Sequence, residues 1–431
     1  MSAPRLKVAI CGGGISGLCL GVALSRYPDV EVNIYEAAQR FYEIGAGVMI
    51  WSRTWRILEL LGIADEFAEI AHAPPDGSLG VGFDYRKSDA PDGFRFHLFQ
   101  LPYGCIRFHR AHFLDAFIHH PPPGVAHFGK RLSSYAEGDS AGPVQLYFDD
   151  KTGATCDILV GCDGIKSTIR KCLLQDLAAR GQPELLDCIE PIWTGTVAYR
   201  GLIPVEQLRS AEKVHRAVDT PMMYCGKNKH VVSYSISQGS IVNVIAFASD
   251  VKKEATPYTD PWVAPCSQEE LLACYADWEP EVVEMLQRIK SPTKWGLHAL
   301  KPLSTWVSRK VALVGDAAHA MLPHQGAGAG QAIEDAFILA SLLGDPSVTP
   351  LTLEHALQAY EHVRLPLANH VLTGSRESGQ MYEFVGKYGF VACDQLGPTI
   401  ERQWDWVSQD GPDADAKRAL LWMGDKMNAE K

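Results

Sequence analysis

The sequence predicts an α/β protein with about two or three domains. Three observations predict it: a glycine-rich turn joins a buried strand to a helix near the start, two more strand–turn–helix segments follow much later, and short alternating strands lie between them. The 431 residues are 46% hydrophobic and 21% charged, which is typical of a folded chain with a sizeable core.

Composition and charge exclude several classes of protein. The net charge is −11 and no basic tract is present, so a nucleic-acid partner is not expected. Eleven cysteines form no C-x-x-C pair and the histidines lack zinc-site spacing, so we expect a reduced, cytoplasmic setting without a metal site. No apolar run is long enough to span a membrane, and Gly12, Gly13 and Gly14 interrupt the N-terminal apolar stretch, unlike in a signal peptide.

The first chemical motif has a β-α-β context. Leu6–Cys11 predicts a buried strand, Ile15–Arg26 a helix, and Val30–Tyr35 a second strand. The turn between the first strand and the helix carries a G-x-G-x-x-G pattern, which is weak evidence alone but specific between a strand and a helix. Its glycines are Gly12, Gly14 and Gly17.

Each part of this motif has a physical role in dinucleotide binding. Gly12 permits the tight turn, Gly14 lets the backbone approach a pyrophosphate, and Gly17 lets the helix pack closely on the sheet. The helix N-terminus offers free N–H groups to phosphates. Glu36, which ends the second strand, can accept hydrogen bonds from ribose hydroxyls and would repel a 2′-phosphate. The motif therefore favours FAD or NAD over NADP at this site.

Two later segments favour FAD. Asp157–Arg170 predicts a strand that ends at Asp163 and leads into a helix, and Lys310–Ala336 predicts a strand, then Asp316, then a glycine-rich entry to a helix. An aspartate at a strand end can bind a ribose or ribityl hydroxyl, and the glycine-rich segment offers N–H groups to an isoalloxazine ring. A simple nicotinamide dehydrogenase would not need the third segment.

Together these segments resemble class A flavoprotein monooxygenases, the single-component aromatic hydroxylases, and especially their salicylate hydroxylase-like branch. The likeness extends from Leu6 to about Arg376 and includes three motifs in the same order. Further matching stretches are Glu43–Gly47, Arg107–Arg110 and Ala198–Leu202. The resemblance implies a Rossmann-like FAD-binding domain interrupted by a β-sheet domain that covers the substrate.

The resemblance also implies roles for individual residues. It places Glu36 on the adenosine ribose, Gly47 near the flavin, and Arg110 on the phosphate–ribityl region. Asp163 lies in the segment that the family associates with both FAD and NAD(P)H. The chain departs from the commonest family pattern at Val48–Trp55, which leaves the shape of the pocket there undetermined.

The third motif carries the remaining implied cofactor contacts. By resemblance, Asp316 binds the ribityl or pyrophosphate portion, while Gly328 and Ala329 face the flavin ring. Pro323 would lie beside the position where oxygen adds to the reduced flavin. The final stretch beyond Tyr382 matches no part of the family pattern, and no role is implied for it.

The dispersed motifs predict a discontinuous FAD-binding domain. The inserted domain contains short alternating strands, which predict a mostly antiparallel sheet with one face over the flavin and one toward solvent. The pattern from Leu351 to Phe384 predicts a helix. The predicted boundaries are 1–75, 100–185 and 295–350 for the FAD-binding domain, 76–99 and 186–294 for the substrate-binding β-sheet domain, and 351–431 for the C-terminal helical region.

Three side chains are candidates for catalysis. Arg200 lies on a predicted strand, where the family often uses an arginine to reach the substrate; the alternative is a surface arginine. By resemblance to related fungal enzymes, Tyr234 is a candidate for orienting a phenol, with Tyr224 as its competitor, and either can be a core residue. His324 could accept a phenolic proton, whereas His319 is expected to be structural.

The predicted function is that of an NAD(P)H-dependent FAD monooxygenase acting on a small aromatic substrate and O2. The family hydroxylates phenols such as hydroxybenzoates through a flavin C4a-hydroperoxide, sometimes with loss of CO2. NAD(P)H is expected as a transient co-substrate, because only one complete dinucleotide motif is present, and the expected assembly is a monomer or homodimer. Two alternatives are enzymes: an FAD-dependent epoxidase or dearomatising hydroxylase of a terpenoid or polyketide, and a flavoprotein that reduces prenyl chains. The third is a protein with a degenerate FAD-binding fold that serves only in binding or interaction.

Overall fold

The computed structural model describes residues 3–42, 47–72, 75–138, 142–210, 213–389 and 391–429. Its strands are β1 (Leu6–Cys11), β2 (Val30–Glu36), β3 (Gly47–Ile50), β4 (Leu79–Lys87), β5 (Phe94–Pro102), β6 (Ile106–His109), β7 (Ala126–Phe128), β8 (Leu132–Glu137), β9 (Val144–Phe148), β10 (Gly153–Cys156), β11 (Ile158–Gly161), β12 (Ile192–Pro204), β13 (Met222–Gly226), β14 (Lys229–Ile236), β15 (Ile241–Ser249), β16 (Val263–Pro265), β17 (Thr293–Ala299) and β18 (Val311–Leu313). Its α-helices are α1 (Ile15–Leu24), α2 (Ser52–Leu60), α3 (Ala64–Ile70), α4 (Arg110–Ile118), α5 (Thr168–Ala179), α6 (Gln268–Cys274), α7 (Pro280–Gln287), α8 (Asp316–His319), α9 (Gly328–Leu343), α10 (Leu353–Tyr382), α11 (Cys393–Arg402) and α12 (Pro412–Ala429).

A five-stranded parallel sheet carries the glycine motifs. Its order is β18-β11-β1-β2-β7, and every neighbouring pair is parallel. Strands β1 and β11 are almost wholly buried because helices cover the sheet, which explains their apolar composition. The predicted β1–α1–β2 unit is confirmed, with the helix ending at Leu24 rather than at Arg26. The carboxyl ends of β1, β11 and β18 therefore meet at one edge.

A mostly antiparallel sheet of eight strands forms the second layer of the molecule. Its order is β16-β17-β12-β15-β14-β13-β4-β5, and β13–β4 is its one parallel pair. The sheet combines strands from 79–102 with strands from 192–299, so two separate stretches of the chain build it. The strands expected from the alternating pattern are confirmed, while the exact domain boundaries stay a prediction.

The expectation that one face of this sheet meets solvent is wrong. Tyr199, Tyr224 and Val231 on that face are buried against α6 and α7, where Leu271 and Leu286 are fully buried. The opposite face contributes to a separate core. Strand β14 is buried at every position from His230 to Ile236, so its two alternating sets of side chains both need cover.

Helices α9, α10 and α12 are tied together by buried charges. Arg364 of α10 donates to Asp335 at 2.8 Å and to Glu334 at 2.9 Å, and all three side chains are fully buried. Arg53 of α2 also bonds Glu334, at 3.0 Å, and it bonds Asp415 of α12. Two carboxylates without water need such partners, because an unpaired buried charge is strongly destabilising.

The helix predicted from Leu351 to Phe384 is confirmed as α10. In the part of the chain that the structure describes, no helix has both the length and the apolar composition needed to cross a membrane. Within the same residues, His, Cys, Asp and Glu side chains nowhere gather into a group that could hold a metal ion.

We expect Arg364→Met to lower the free energy of unfolding by about 3–5 kcal/mol, because Glu334 and Asp335 lose the buried guanidinium that they share while the side-chain volume is kept. Arg53 then remains as a partner of Glu334, and His319 as a partner of Asp335. The matched control is Arg376→Met on the same helix, which breaks an exposed ion pair with Glu254 and should change stability by less than about 1 kcal/mol. Thermal unfolding of the two variants measures the difference. Equal stability of both variants would contradict the assignment.

Candidate active site

A cavity of about 490 Å³ lies between the carboxyl edge of the parallel sheet and one face of the eight-stranded sheet. Gly14 and Asp316 contribute from the first side, and Arg200 and Tyr234 contribute from the second. All three glycine-and-acid segments thus reach the same cavity, although for the second segment the wall is formed by Cys162 and Gly164. The predicted convergence of the segments is what the topology of the parallel sheet produces.

The G-x-G-x-x-G turn is packed too tightly for side chains at two of its glycines. A Cβ on Gly12, whose φ is +110°, would lie 2.1 Å from the carbonyl oxygen of Cys162. A Cβ on Gly17 would lie 1.9 Å from the carbonyl oxygen of Gly12. A Cβ on Gly14 would meet no atom within 4 Å, because it points into the cavity. Gly12 and Gly17 allow close packing of the backbone, and Gly14 keeps the cavity wall open.

Glu36 is held against this turn by backbone donors. Its Oε2 accepts from the N–H of Gly13 at 2.7 Å, and its Oε1 accepts from the N–H of Ala38 at 2.6 Å. The carboxylate is half-buried at the end of β2. These bonds fix its position while its remaining lone pairs can still accept hydrogen bonds from hydroxyl groups.

Asp163 caps a helix rather than facing the cavity. Its Oδ1 accepts from Ser167 Oγ at 2.5 Å, and its Oδ2 accepts from the N–H of Ile169 at 3.1 Å, so the carboxylate satisfies the start of α5. Burial raises the pKa of Asp163, and these hydrogen bonds oppose the shift. Its neighbours Cys162 and Gly164 line the cavity instead. Asp163 therefore holds in place the turn at Cys162 and Gly164, which forms the part of the cavity wall that this segment contributes.

The third motif lies along the floor of the cavity. Asp316 is exposed and begins α8, after Gly315 with φ +64°. Pro323, Gly328 and Ala329 line the cavity with it. The segment with the unusual pattern, Val48–Trp55, packs beneath: Val48 and Met49 line the cavity, and the Trp51 indole donates to the carbonyl of Gln325 at 3.0 Å. The residues Glu43–Ala46 of another matching stretch lie outside the described residues.

Cations gather at one end of the cavity. Arg110 and Arg200 both line it, and the guanidinium of Arg200 lies 4.8 Å from the centroid of the Trp295 ring. Burial lowers the pKa of Arg200, with the charge of Arg110 adding to the shift. Arg107, which sequence reasoning gave no role, is buried beside them with two guanidinium nitrogens unpartnered. An anion would be attracted to this end.

The structure separates the two candidate tyrosines. Tyr234 is buried on the cavity face of β14, and its ring lies 2.5 Å from where a Cβ on Gly47 would stand. Tyr224 lies on the opposite face of the sheet, where its hydroxyl donates to Glu281 at 3.2 Å. Only Tyr234 of the two lines the cavity. Burial raises the pKa of Tyr234, so its phenol stays neutral.

His324 lines the cavity together with a histidine that sequence reasoning missed. The rings of His324 and His230 are 4.9 Å apart between centroids, and burial lowers the pKa of each to about 3. The signal for His230 was present: it stands four residues before Tyr234 on one strand, so both face the same side. His319 is structural, as expected, because its Nε2 bonds Asp335 at 2.6 Å.

A second cavity of about 640 Å³ adjoins the first at His298. Its wall combines cations at the start of α5, Lys166 and Arg170, with the aromatic rings of Trp193 and Trp262. Lys166 lies 4.1 Å from the centroid of Trp262. Cations beside flat aromatic surfaces suit a ligand that has both phosphates and rings.

Comparison with known proteins agrees with this architecture. A family model described as an FAD binding domain matches residues 124–375. Salicylate hydroxylase of Pseudomonas putida is 40% identical over 430 residues, covering 98% of this chain and 95% of the relative. The 6-methylsalicylate 1-monooxygenase atA of Aspergillus terreus is 37% identical, covering 94% and 89%. A solved salicylate hydroxylase substrate complex is 35% identical with a TM-score of 0.85, covering 97% of this chain and 98% of that one.

The chain belongs to the FAD-dependent aromatic monooxygenases. The family, the cofactor FAD and the class of enzyme expected from the sequence are thereby confirmed. The α/β fold with an FAD-binding domain is confirmed as well.

The cavity of this monooxygenase fits its cofactor. Gly14 and Gly328 leave open space where a larger residue would project, since a Cβ on Gly328 would meet only Met321, at 3.8 Å. The helix that starts at Gly328 directs free N–H groups toward the cavity, where a flavin ring can accept them. Asp316 supplies an exposed carboxylate for hydroxyl groups on the same side.

Gly14→Ala should weaken FAD binding about 10- to 100-fold, because the added methyl group occupies space that the cofactor needs. The unfolding temperature of the flavin-free protein should not change, since the methyl group meets no protein atom. Flavin fluorescence titration and thermal unfolding measure the two effects.

Gly17→Ala is the contrasting variant, because its methyl group collides with the Gly12 carbonyl and should lower the unfolding temperature even without FAD. If Gly14→Ala binds FAD as tightly as the unchanged protein, Gly14 is not part of the cofactor site.

Proposed function

We propose that this monooxygenase hydroxylates a phenol that carries a carboxylate, in the manner of a salicylate hydroxylase, with NAD(P)H and O2 as co-substrates. The observation that carries the proposal is an arginine without an acidic partner in the wall of the cavity. None of the ion pairs among the described residues includes Arg200, although its side chain is largely enclosed. The relatives named for salicylate and 6-methylsalicylate support the same class of substrate.

Arg200 is the proposed anchor of the substrate carboxylate. A guanidinium is planar, always charged, and able to donate two parallel hydrogen bonds to a carboxylate. The Trp295 ring supports one face of the guanidinium and limits its motion.

Tyr234 and His324 are the proposed partners of the phenolic hydroxyl. The Tyr234 hydroxyl orients the phenol, and the Nδ1 atom of His324, which is buried and unpartnered, accepts its proton. Removing that proton raises the electron density of the ring at the carbon to be attacked. When bound, FAD that NAD(P)H has reduced supplies the activated oxygen. The apolar side chains around the site, such as Phe247 and Ile245, exclude water.

The proposed FAD contacts follow the predicted motifs. Glu36 would bind the adenosine ribose, Arg110 and Asp316 would bind the phosphate and ribityl region, and Asp163 would hold its turn in place. The full set proposed to form the FAD site, either by contact or by holding the backbone of the site in place, is Gly12, Gly14, Gly17, Glu36, Gly47, Arg110, Asp163, Asp316, Gly328 and Ala329.

The second cavity is the proposed site for transient binding of NAD(P)H. Lys166, which is exposed in the wall of this cavity, would pair with a phosphate of the dinucleotide. The cavity shares His298 with the first cavity, so a nicotinamide could reach the flavin from there.

We further propose a cytoplasmic enzyme, because cysteines such as Cys19 and Cys225 are packed in cores as small apolar side chains.

The test of this proposal is turnover of 2-hydroxybenzoate by the FAD-loaded enzyme. We expect that one NAD(P)H is oxidised for each catechol formed and each CO2 released. One oxygen atom of O2 should appear in a hydroxyl group of the catechol and the other in water. Benzoate, which lacks the hydroxyl, and phenol, which lacks the carboxylate, are the matched controls and should react more slowly. Mass spectrometry of the products and oxygen consumption measure the outcome. Release of the reduced oxygen as peroxide with every hydroxybenzoate tested would contradict the proposal.

Arg200→Met should raise the KM for a hydroxybenzoate about 10- to 100-fold, because a charge-assisted pair contributes about 1.5–3 kcal/mol. Arg209→Met is the control, since Arg209 is exposed and its nearest acidic partner, Asp219, is 4.0 Å away. Steady-state kinetics with a neutral phenol should show a much smaller effect of Arg200→Met. An unchanged KM for the hydroxybenzoate would remove Arg200 from the site.

A further inference from the structure

A carboxylate is buried directly behind the histidines of the cavity wall. Glu383 follows the last residue of α10, and its Oε1 lies 2.9 Å from His230 Nδ1. The side chains of His230 and Glu383 are only 1% and 4% exposed. Neither residue has a role in the function proposed above.

The position of Glu383 is fixed by several contacts. Ser249 Oγ donates to the same Oε1 at 2.9 Å, and the N–H of Asn228 donates to the Glu383 carbonyl at 2.9 Å. Phe384, the next residue, has φ +48°, so the chain turns sharply away from the helix at this point. A carboxylate held this firmly can impose an orientation on the imidazole that it bonds.

The bond to Glu383 decides which nitrogen of His230 carries the proton. An ionised carboxylate only accepts hydrogen bonds, so His230 Nδ1 must be the N–H donor. Its Nε2, which is buried without a partner in a ring that lines the cavity, then holds a lone pair. If Glu383 is protonated instead, its hydroxyl donates to Nδ1 and the proton of the ring moves to Nε2.

His324 lies beside this switchable ring. The two imidazoles meet edge to face at an interplanar angle of 64°. A lone pair on Nε2 of His230 and the negative charge of Glu383 both favour a positive charge on His324. An N–H group on Nε2 of His230 disfavours that charge. Burial lowers the pKa of His324, and a positive charge on His230 lowers it further, whereas the charge of Glu383 raises it. The carboxylate therefore opposes the cost of protonating the His324 ring, provided that His230 itself stays neutral.

We propose that Glu383 is a positioning residue for proton uptake, which holds His230 as the Nδ1–H tautomer and so lets His324 accept the phenolic proton. The O–H bond of the phenol breaks, its electron pair stays on oxygen as phenolate, and an N–H bond forms at His324 Nδ1. The resulting imidazolium is compensated by the Glu383 carboxylate through His230. This inference rests on the proposed function, because it names the group that supports the same proton transfer.

Other ionisable groups around the pair stay neutral or point elsewhere. Burial raises the pKa of Tyr382, Tyr275 and Cys225, so none of them ionises near neutrality. Lys227 and Lys229, from the β13–β14 turn, donate to backbone carbonyls. Glu383 is thus the group near His230 that titrates in the working range: burial raises its pKa to about 7, with the charge of His324 and the Ser249 hydrogen bond opposing the shift.

The pH dependence follows from this raised pKa. Above a pH of about 7, Glu383 is ionised and the Nε2 atom of His230 carries a lone pair. Below this pH, Glu383 is protonated, and Glu383 and His230 no longer stabilise a positive charge on His324. The kcat of the FAD-loaded enzyme should therefore fall as the pH drops through about 7. Glu383→Gln should abolish this limb and lower kcat about 10- to 100-fold, with little change in KM.

The matched control is Glu377→Gln on the same helix. Glu377 bonds Tyr388 and Gln403 away from the cavity, so this variant should keep the full pH limb. Ser249→Ala is a second test that leaves Glu383 in place. It removes a hydrogen bond that lowers the pKa of Glu383, so the limb should move to higher pH. If Glu383→Gln keeps both kcat and the limb, the inference is wrong.

A readout without substrate separates this inference from the proposed function. In protein with 15N-labelled histidine, the signal that disappears in His230→Asn reports the tautomer of His230. We expect that signal to change from the Nδ1–H to the Nε2–H form as the pH falls through about 7, and to be independent of pH in Glu383→Gln. A signal with the same tautomer on both sides of this pH refutes the inference even if 2-hydroxybenzoate is turned over.

If instead the tautomer changes as expected but no hydroxybenzoate is hydroxylated, the proposed function fails while the switch at Glu383 stands. Thermal unfolding of Glu383→Gln controls for folding. A purely structural role for Glu383 would lower the unfolding temperature and leave the shape of the pH profile unchanged.

Discussion

The site depends on the parallel pairing of β1 with β11 and of β11 with β18. Parallel strands present their carboxyl ends at one edge, so turns that are far apart in sequence become neighbours. The contact is close enough that Gly12 has no room for a side chain beside the Cys162 carbonyl. Every later feature of the active site, including the cover supplied by the eight-stranded sheet, is arranged around that shared edge.

The cavity joins two electrostatic environments. Arg110 and Arg200 make one end cationic, while the buried rings of His230 and His324 are uncharged near neutrality. In the proposed function, an aromatic anion binds in the first environment and transfers a proton to the second. Because both sets of side chains project from strands, short turns or, for Arg110, the start of helix α4, their separation is set by the fold and does not require the ligand.

Local pattern was sufficient to predict the β1–α1–β2 unit, the acidic residues at strand ends and the strand that carries Arg200 and its neighbours. It was insufficient where partners are distant in sequence. Nothing near Glu383 indicates that it meets His230, because the contact spans 153 residues and depends on where α10 ends. The covered outer face of the eight-stranded sheet was missed for a similar reason: the strands show the apolar residues, but only the fold shows that α6 and α7 cover them.

The chain of charges from Arg53 through Glu334 to Arg364 has a consequence for engineering this enzyme. Helix α9 begins in the flavin cavity, and its two buried acids are neutralised by arginines on α2 and α10, one of which also holds Asp415 near the C-terminus. A chimaera that exchanges the last helix with that of a relative must therefore preserve an acid opposite Arg53. Otherwise Arg53 would lose one of its two acidic partners, and the disturbance would fall on α9, the helix whose first turn lines the proposed flavin site at the other end of this charge network.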